Sequence, residues 1–198
     1  MGSRFGGIIV LAALLLAGAP RAPAAENLLR NGSFEEPAPS TNINDAMHWS
    51  YAEPDEHGDA WGSASREQWR AVDGEYIGSV RGLWADLGTR GGVWQETAAE
   101  PGQAYRFSGW FYCDPEWMAL TQEIVLEFWD ADRQTLLGET RLPIEGCFDD
   151  WTERSVEGTA PEGAAWARVV VHVDHVGPSG ALQFDNLTLV KHSPSPIR

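Results

Sequence analysis

The feature that most constrains this chain is a series of short segments in which apolar and polar residues alternate, separated by turns rich in glycine, proline and aspartate. Alternation with a period of two indicates a β-strand with one buried face, and no segment shows a convincing helical period of any length. Nine strands are predicted: Leu28–Asn31, Tyr76–Leu83, Gly92–Thr97, Ala104–Tyr112, Gln122–Asp130, Thr135–Arg141, Trp151–Gly158, Ala167–Asp174 and Ala181–Val190. This number and spacing of strands predicts an all-β fold, an antiparallel β-sandwich of the jelly-roll type.

The stretch from Pro37 to Arg70 departs from this pattern. It is polar, and it carries Trp49, Trp61 and Trp69 at wide intervals. We expect long loops there with at most one or two short strands. Long loops at one end of a sandwich are a common place for functional groups.

The two ends of the chain are expected to lie outside the folded domain. Residues 1–24 resemble a secretory signal peptide, with Arg4 near the start, an apolar run over Ile8–Ala17, and a small-residue cleavage pattern at Ala22-Pro23-Ala24. The run is too short to span a bilayer, although an uncleaved anchor is the alternative. We therefore predict a domain over 25–191, a polar tail over 192–198, and a secreted protein, extracellular or periplasmic.

The charge of the chain limits its partners. The formal net charge is −15, and the predicted signal segment contributes only basic residues to it. So acidic a protein repels nucleic-acid phosphates and anionic membrane surfaces. The composition favours instead a cation, or a neutral ligand held by stacking and hydrogen bonds.

The cysteines and tryptophans add two further expectations. Cys113 and Cys147 are the two cysteines, and in an oxidising compartment a single disulfide is expected, with two unpaired thiols as the alternative. Ten tryptophans are many for 198 residues. They predict a dense aromatic core, a stacking surface, or some of each.

Three of the predicted strands combine one apolar face with one face that mixes aromatic and polar groups. Within Tyr105–Tyr112, Ile124–Trp129 and Ala167–Asp174, alternate positions are apolar and suited to a core. The opposite positions hold large rings among polar side chains, which indicates a ligand surface. Its predicted members are Trp110, Tyr112, Glu127, Trp129, Arg168 and His172.

Several short motifs resemble one family of secreted sugar-binding domains in order and spacing. They are Asn31-Gly32-Ser33-Phe34-Glu35, Asp73-Gly74-Glu75-Tyr76, Gly92-Val93-Trp94-Gln95-Glu96, the segment from Pro101 to Trp110, Trp151-Thr152-Glu153, Ala160-Pro161-Glu162-Gly163 and Phe184-Asp185-Asn186-Leu187. Across residues 27–190 the chain resembles the carbohydrate-binding modules of the clan of families 4, 9, 16 and 22. The resemblance implies a galactose-binding-like jelly roll, non-catalytic, that binds a polysaccharide or oligosaccharide.

The same resemblance implies one structural calcium ion. Glu35, Asp73 and Asp185 would supply side-chain oxygens, with backbone carbonyls near Ser33 and Tyr76. Calcium takes six to eight oxygen ligands of this kind. Buried carboxylates at opposite ends of the chain need a partner, and the alternative is that backbone N–H groups or an arginine satisfy Glu35 and Asp185.

For sugar binding, the chemistry requires flat rings against the C–H faces of a pyranose and side chains that hydrogen-bond its hydroxyls. Trp110, Tyr112 and Trp129 are the predicted rings, Glu127, Arg168 and His172 the predicted polar contacts, and Trp84 fits the rim. Some of these tryptophans could instead belong to the core.

Two other functions stay open at this point. One is an extracellular module that binds a protein or matrix partner through the same sheet. The other is a jelly-roll glycosidase or lyase, for which Glu127 with Glu96 or Glu153 could form a carboxylate pair. The dense run of acids typical of jelly-roll glycosidases is missing, so we predict a protein that is not an enzyme.

Overall fold

A computed structural model of this protein describes residues 25–37, 46–51, 63–81, 90–174 and 177–192, and ten β-strands lie within these ranges. The strands are β1 (Ser50–Tyr51), β2 (Ser63–Gln68), β3 (Tyr76–Arg81), β4 (Arg90–Ala98), β5 (Ala104–Cys113), β6 (Thr121–Trp129), β7 (Leu136–Pro143), β8 (Thr152–Thr159), β9 (Trp166–Asp174) and β10 (Ala181–His192). The described ranges contain no helix that is long and apolar enough to cross a membrane.

The strands form two five-stranded antiparallel sheets. The front sheet has the order β1-β4-β9-β6-β7, and the back sheet has the order β2-β3-β10-β5-β8. Their inner faces enclose one core, in which Tyr105, Phe107, Phe111, Leu126 and Phe184 are among the largest fully buried side chains. The predicted all-β sandwich is confirmed.

Most predicted strands are confirmed within a few residues of their predicted bounds. The segment Leu28–Asn31 is not a strand, although the backbone N–H of Leu28 donates to the carbonyl of Leu189 at 2.8 Å. Asn31 ends this segment in the left-handed region, with φ of 52°, and the N–H of Arg30 donates to the side chain of Gln95. A strand ladder cannot continue through such a turn. The predicted signal peptide lies outside the described residues, as does the predicted tail except for His192, which is the last residue of β10.

The alternation predicted for β5, β6 and β9 is confirmed, and it fixes what each sheet shows to the outside. In β5 the odd-numbered residues from Tyr105 to Cys113 are buried, and the even-numbered ones are half-buried or exposed. In β6, Ile124, Leu126 and Phe128 belong to the core. We call the outward surface of the front sheet the front face, and that of the back sheet the back face.

A disulfide joins Cys113, the last residue of β5, to Cys147 in the β7–β8 connection. A backbone hydrogen bond joins the same two residues, since the N–H of Cys113 donates to the carbonyl of Cys147 at 2.7 Å. The predicted disulfide is confirmed, and it holds the β7–β8 connection against the end of β5.

Candidate functional site: a tryptophan–arginine cluster on the front face

The predicted ligand residues do not lie on one surface. Trp110 and Tyr112 belong to β5 and point outward from the back face. The other four predicted residues that the structure describes lie on β6 and β9 of the front sheet: Glu127, Trp129, Arg168 and His172. Trp84 lies outside the described residues. The prediction of a single surface was wrong because alternation assigns a residue to the outer side of a strand, whereas the sheet that holds the strand depends on long-range pairing.

Arg168 is the centre of the front-face group. Its guanidinium carbon lies 4.5 Å from the ring centroid of Trp94 and 4.8 Å from that of Trp129. The strand order puts these residues side by side, since β9 lies between β4 and β6. A guanidinium close to two indole rings is attracted to their faces, and it holds the rings in fixed positions.

Two carboxylates complete this group. Glu96 on β4 and Glu127 on β6 are both register partners of Arg168. The guanidinium donates to Glu96 Oε2 at 3.1 Å, and another of its nitrogens lies 4.0 Å from Glu127 Oε2. The indole N–H of Trp129 donates to the same Glu127 oxygen at 2.7 Å. We call Trp94, Glu96, Glu127, Trp129 and Arg168 the tryptophan–arginine cluster.

The cluster continues toward the end of the sheet. Arg133, in the β6–β7 turn, donates to Glu96 Oε1 at 2.5 Å and lies with its guanidinium carbon 3.5 Å from the ring centroid of Trp166. The indole N–H of Trp166 donates to the carbonyl of Ala131 at 3.2 Å. Three tryptophans and two arginines thus stand next to each other at one end of the front face.

The burial of the cluster suits recognition more than it suits a core. The side chains of Glu96 and Arg168 are each 17 % exposed, so both keep a small part of their surface in solvent. Further along the same face, Val125 and Val170 are each 1 % exposed, which shows that the middle of the face is closed to solvent. The cluster therefore offers half-buried indole rings and a partly exposed Glu96 carboxylate, held in place by the network, while Glu127 is buried.

His172 lies farther along β9, away from this network. Its register partners are Gly92 on β4 and Glu123 on β6, two residue pairs beyond Val170. It is half-buried on the front face, four residues from Arg168 along the strand. His172 thus lies on the same face of the front sheet as Glu127 and Trp129, as predicted. The cluster, however, is centred on Arg168.

Sequence reasoning missed four members of this surface as ligand residues. Trp94 and Glu96 follow the alternation of β4, where Val93 and Gln95 are buried. That alternation places both residues on an outer face and could have found them. Arg133 and Trp166 join only through the turn and the sheet pairing, for which no local pattern exists.

The predicted calcium ligands lie at the turn between β2 and β3. Glu35 Oε1 accepts the backbone N–H groups of Glu75 and Tyr76, at 2.9 and 2.8 Å. Ser33 is half-buried and lies in the N-terminal segment, two residues before Glu35. Asp73 is exposed. Glu35 thereby holds the turn to the N-terminal segment.

Asp185 holds the same turn from the last strand. Its Oδ2 atom accepts the N–H groups of Val72 and Asp73 at 2.7 and 2.9 Å, and its Oδ1 atom accepts the N–H of Asn186. The residue is fully buried. Burial raises the pKa of Asp185 to about 6, although the three N–H groups act in the opposite direction.

These contacts bear on the fit of a calcium ion. Both oxygens of Asp185 and one oxygen of Glu35 already accept backbone N–H groups, and no three acidic, histidine or cysteine side chains converge within the described ranges. The predicted ligand oxygens therefore do not converge on one point as a calcium site requires. The calcium site stays a prediction of the sequence.

Several solved structures have a similar fold. A structure described as "Family 16 Carbohydrate Binding Module-2" is similar over 83 % of this chain and 99 % of its own, with 20 % identity and a TM-score of 0.58. The module TmCBM61, solved in complex with β-1,4-galactotriose, is similar over 85 % of this chain and 100 % of its own, with 17 % identity and a TM-score of 0.54. These proteins share the fold of this chain at low sequence identity.

The same fold also occurs inside a longer chain. The enzymatically active domain of tailspike protein 4 of bacteriophage CBA120 has a TM-score of 0.60 and 13 % identity over 84 % of this chain, which spans only 21 % of the tailspike chain. No protein-family model and no curated protein sequence matches. The fold implied by the sequence motifs is confirmed: this chain is a β-sandwich with the same fold as these solved carbohydrate-binding modules.

Proposed function

We propose that this protein is a secreted, non-catalytic module that binds a polysaccharide or oligosaccharide through the tryptophan–arginine cluster. The observation that carries the proposal is the pair of indole rings on either side of Arg168, with two carboxylates hydrogen-bonded beside them. Indole faces stack on the C–H faces of a sugar ring, and carboxylates accept hydrogen bonds from its hydroxyl groups.

The rigidity of the cluster supports this function. The rings and the guanidinium hold each other in place, so a ligand would meet groups that are already oriented, and less conformational entropy would be lost on binding. The two carboxylates, Glu96 and Glu127, are paired with the two guanidinium groups of Arg133 and Arg168. A neutral sugar needs no further charge from such a site.

An enzymatic role has less support from the geometry. A carboxylate pair that cleaves a glycosidic bond flanks a gap that admits the bond, and in inverting enzymes also a water. Arg168 contacts both Glu96 and Glu127 and occupies the space between them. Glu153, the other carboxylate considered, lies on β8 of the back sheet.

The test is binding to soluble neutral polysaccharides, a galactan, a xylan and a β-glucan, measured by isothermal titration calorimetry. We expect Trp94→Ala and Trp129→Ala each to weaken binding about tenfold or more, the effect of removing an aromatic anchor. Leu120→Ala is the matched control, because Leu120 is a large apolar side chain that is 76 % exposed at the opposite end of β6 from Trp129.

Three results would contradict the proposal. Wild-type affinity in both tryptophan variants, with circular dichroism unchanged, would remove the cluster from recognition. Binding to none of the polysaccharides, together with capture of a specific extracellular protein, would favour a protein-interaction module. Release of reducing sugar from any of the polysaccharides would make the protein an enzyme.

A further inference from the structure

The back face carries a second group of aromatic side chains, opposite the tryptophan–arginine cluster. The ring centroids of Trp69 and Tyr112 are 5.3 Å apart, those of Tyr112 and Trp151 are 5.9 Å apart, and those of Trp69 and Trp151 are 6.4 Å apart. All three side chains are half-buried, so each ring keeps part of its surface in solvent. We call these three residues, with Arg70 and Trp110, the back aromatic patch.

The register of the back sheet assembles this patch. Phe111 on β5 is the partner of Thr152 on β8, so the next pair along the two strands places Tyr112 opposite Trp151. Trp110 lies two residues from Tyr112 on the same face of β5. Trp69 arrives from the β2–β3 connection, and the indole N–H of Trp151 donates to the carbonyl of the next residue, Arg70, at 3.0 Å.

Apart from the Trp151 indole N–H, several polar groups of this patch have no protein partner in the described ranges. The guanidinium carbon of Arg70 lies 5.4 Å from the ring centroid of Trp69 and 5.8 Å from that of Tyr112, and no carboxylate pairs with this exposed side chain in the described part of the chain. Across the same ranges, no protein group hydrogen-bonds the Tyr112 hydroxyl or the Trp110 indole N–H.

On the front face most donors are engaged, although the buried Nε of Arg168 has no hydrogen-bond partner among the described residues. There the indole N–H groups of Trp129 and Trp166 and the guanidinium of Arg133 are all engaged by protein oxygens. A group of rings that only anchored a loop would gain nothing from free donors at its edge. Free donors around half-exposed rings are what a ligand with many hydroxyl groups can use.

We propose that the back aromatic patch is a second sugar-binding site, which makes the module bivalent. Its ligand is a neutral sugar, because acidic residues surround the patch: Glu153 is the cross-strand partner of Trp110, and Asp149 and Asp150 directly precede Trp151. Their field opposes a uronic or sulfated sugar. Two sites on opposite faces of one sandwich bind two chains, or two parts of one long chain, with higher avidity than either site alone.

The test follows the ten indole signals of the protein in a ¹H–¹⁵N spectrum during titration with β-1,4-galactotriose, xylohexaose and cellohexaose. Signals are assigned by single Trp→Phe variants. The titration is repeated in a Trp94→Ala, Trp129→Ala double variant, which lacks the front rings. We expect at least one probe to shift the Trp110 and Trp151 signals in both proteins.

Conservative variants separate recognition from packing. Tyr112→Phe keeps the ring and removes only the hydroxyl, and Arg70→Met keeps a long apolar chain without donors. We expect each to weaken back-face binding about three- to tenfold while leaving the melting temperature and the front-face affinity unchanged. Trp151→Ala should abolish the back-face shifts. The matched control is again Leu120→Ala, which should bind as wild type at both faces.

The outcomes distinguish this inference from the proposed function. If a probe shifts front indole signals but never those of Trp110 and Trp151, the back site is refuted and the front site stands. If only the back signals move, the front site is refuted and the back site stands. If no probe moves any indole signal, both are refuted. Unchanged binding in Tyr112→Phe, Arg70→Met and Trp151→Ala together would also overturn the back site.

Discussion

In the turn between β2 and β3, Gly74 has a φ of 74° and lies directly against the carboxylate of Glu35. A left-handed φ suits glycine, since other residues there bring their Cβ too close to the neighbouring carbonyl oxygen. A Cβ at Gly74 would also overlap the Glu35 side chain, which accepts the N–H groups of the two following residues. Backbone conformation and the carboxylate contact thus require glycine for separate reasons.

A pair of glycine substitutions separates these two reasons. Gly102 has a similar φ of 81°, but nothing lies within 4 Å of the position of its Cβ. We expect Gly102→Ala to cost about 1 kcal/mol of unfolding free energy, and Gly74→Ala about 2–4 kcal/mol because it also displaces Glu35. Urea denaturation measures both values. Equal costs would mean that Glu35 moves aside freely and does not hold the turn.

Glu67 on β2 is a second residue with a specific prediction. Burial disfavours its ionised form, but hydrogen bonds from Arg81, Ser79 and Ser65 outweigh this effect, so the pKa of Glu67 lies below its ordinary value. A carboxyl group whose pKa is lower in the folded state adds stability above its unfolded pKa, which is about 4.3, and that stability is lost as the pH falls through the folded value.

The prediction is a difference between two proteins across this pH window. From pH 6 to pH 3 the melting temperature of the wild type should fall more steeply than that of Glu67→Gln, and the two curves should converge at the acid end. Glu162→Gln, a change at an exposed turn residue, is the control for loss of one charge. Parallel curves for wild type and Glu67→Gln would show that the Glu67–Arg81 contact contributes no stability.

At the scale of elements, the disulfide decides the position of the β7–β8 connection. Cys113 and Cys147 are 34 residues apart, and closing a loop of that size in the unfolded chain corresponds to about 3–4 kcal/mol of stabilisation. The same connection is fixed by the N–H of Ile144, which donates to the carbonyl of Gln122 at 2.9 Å. It ends at Trp151, a member of the back aromatic patch.

We therefore expect a Cys113→Ala, Cys147→Ala double variant to lose about 3 kcal/mol in urea denaturation while keeping its β-rich circular dichroism spectrum. Wild-type protein treated with a reducing agent should have the same midpoint as the double variant. A double variant that is destabilised further by the reducing agent would show that the loss does not come from the disulfide.

Elements were predicted from the sequence much better than the surface they build. The period-two pattern correctly separated the inner from the outer residues of β5, since a strand alternates its side chains whatever its neighbours are. It could not assign Trp110 and Trp129 to different sheets, because that depends on β5 pairing with β10 and β6 pairing with β9, contacts between distant parts of the chain. The strand predicted over Leu28–Asn31 was wrong for a related reason. This segment is irregular, and the side chains of Asn27 and Gln95 hold it to distant parts of the chain.

At the scale of the whole molecule, the two ends of the described domain are held together by buried polar contacts. The Asn27 side chain accepts the N–H of Leu189 at 2.9 Å and donates to the carbonyl of Leu187 at 3.1 Å. Glu35 near the start and Asp185 near the end both accept N–H groups from the β2–β3 turn. These contacts join the N-terminal segment, the turn and β10 across more than a hundred residues of sequence.

Asp185 should contribute most to this junction, because it is fully buried and accepts three N–H groups. In Asp185→Asn, one acceptor oxygen becomes an NH₂ group that faces backbone N–H donors. We expect a loss of about 2–4 kcal/mol in unfolding free energy, the cost of leaving buried donors without partners. Asp114→Asn, a half-buried acid at the end of β5, is the matched control. A loss no larger than the control's would mean that solvent or neighbouring groups replace the carboxylate.

The predicted calcium ion and the observed N–H groups would use the same oxygens of Glu35 and Asp185. Removing calcium with a chelator distinguishes the two cases. If calcium binds Glu35, Asp73 and Asp185, then EDTA should lower the melting temperature, excess Ca²⁺ should restore it, and Asp185→Asn should abolish the response, because only the folded state gains from the ion. If the N–H groups are the partners, EDTA leaves the melting temperature of the wild type unchanged while Asp185→Asn still lowers it. The second result would show that in this protein backbone amides do the structural work that the family resemblance assigns to a metal.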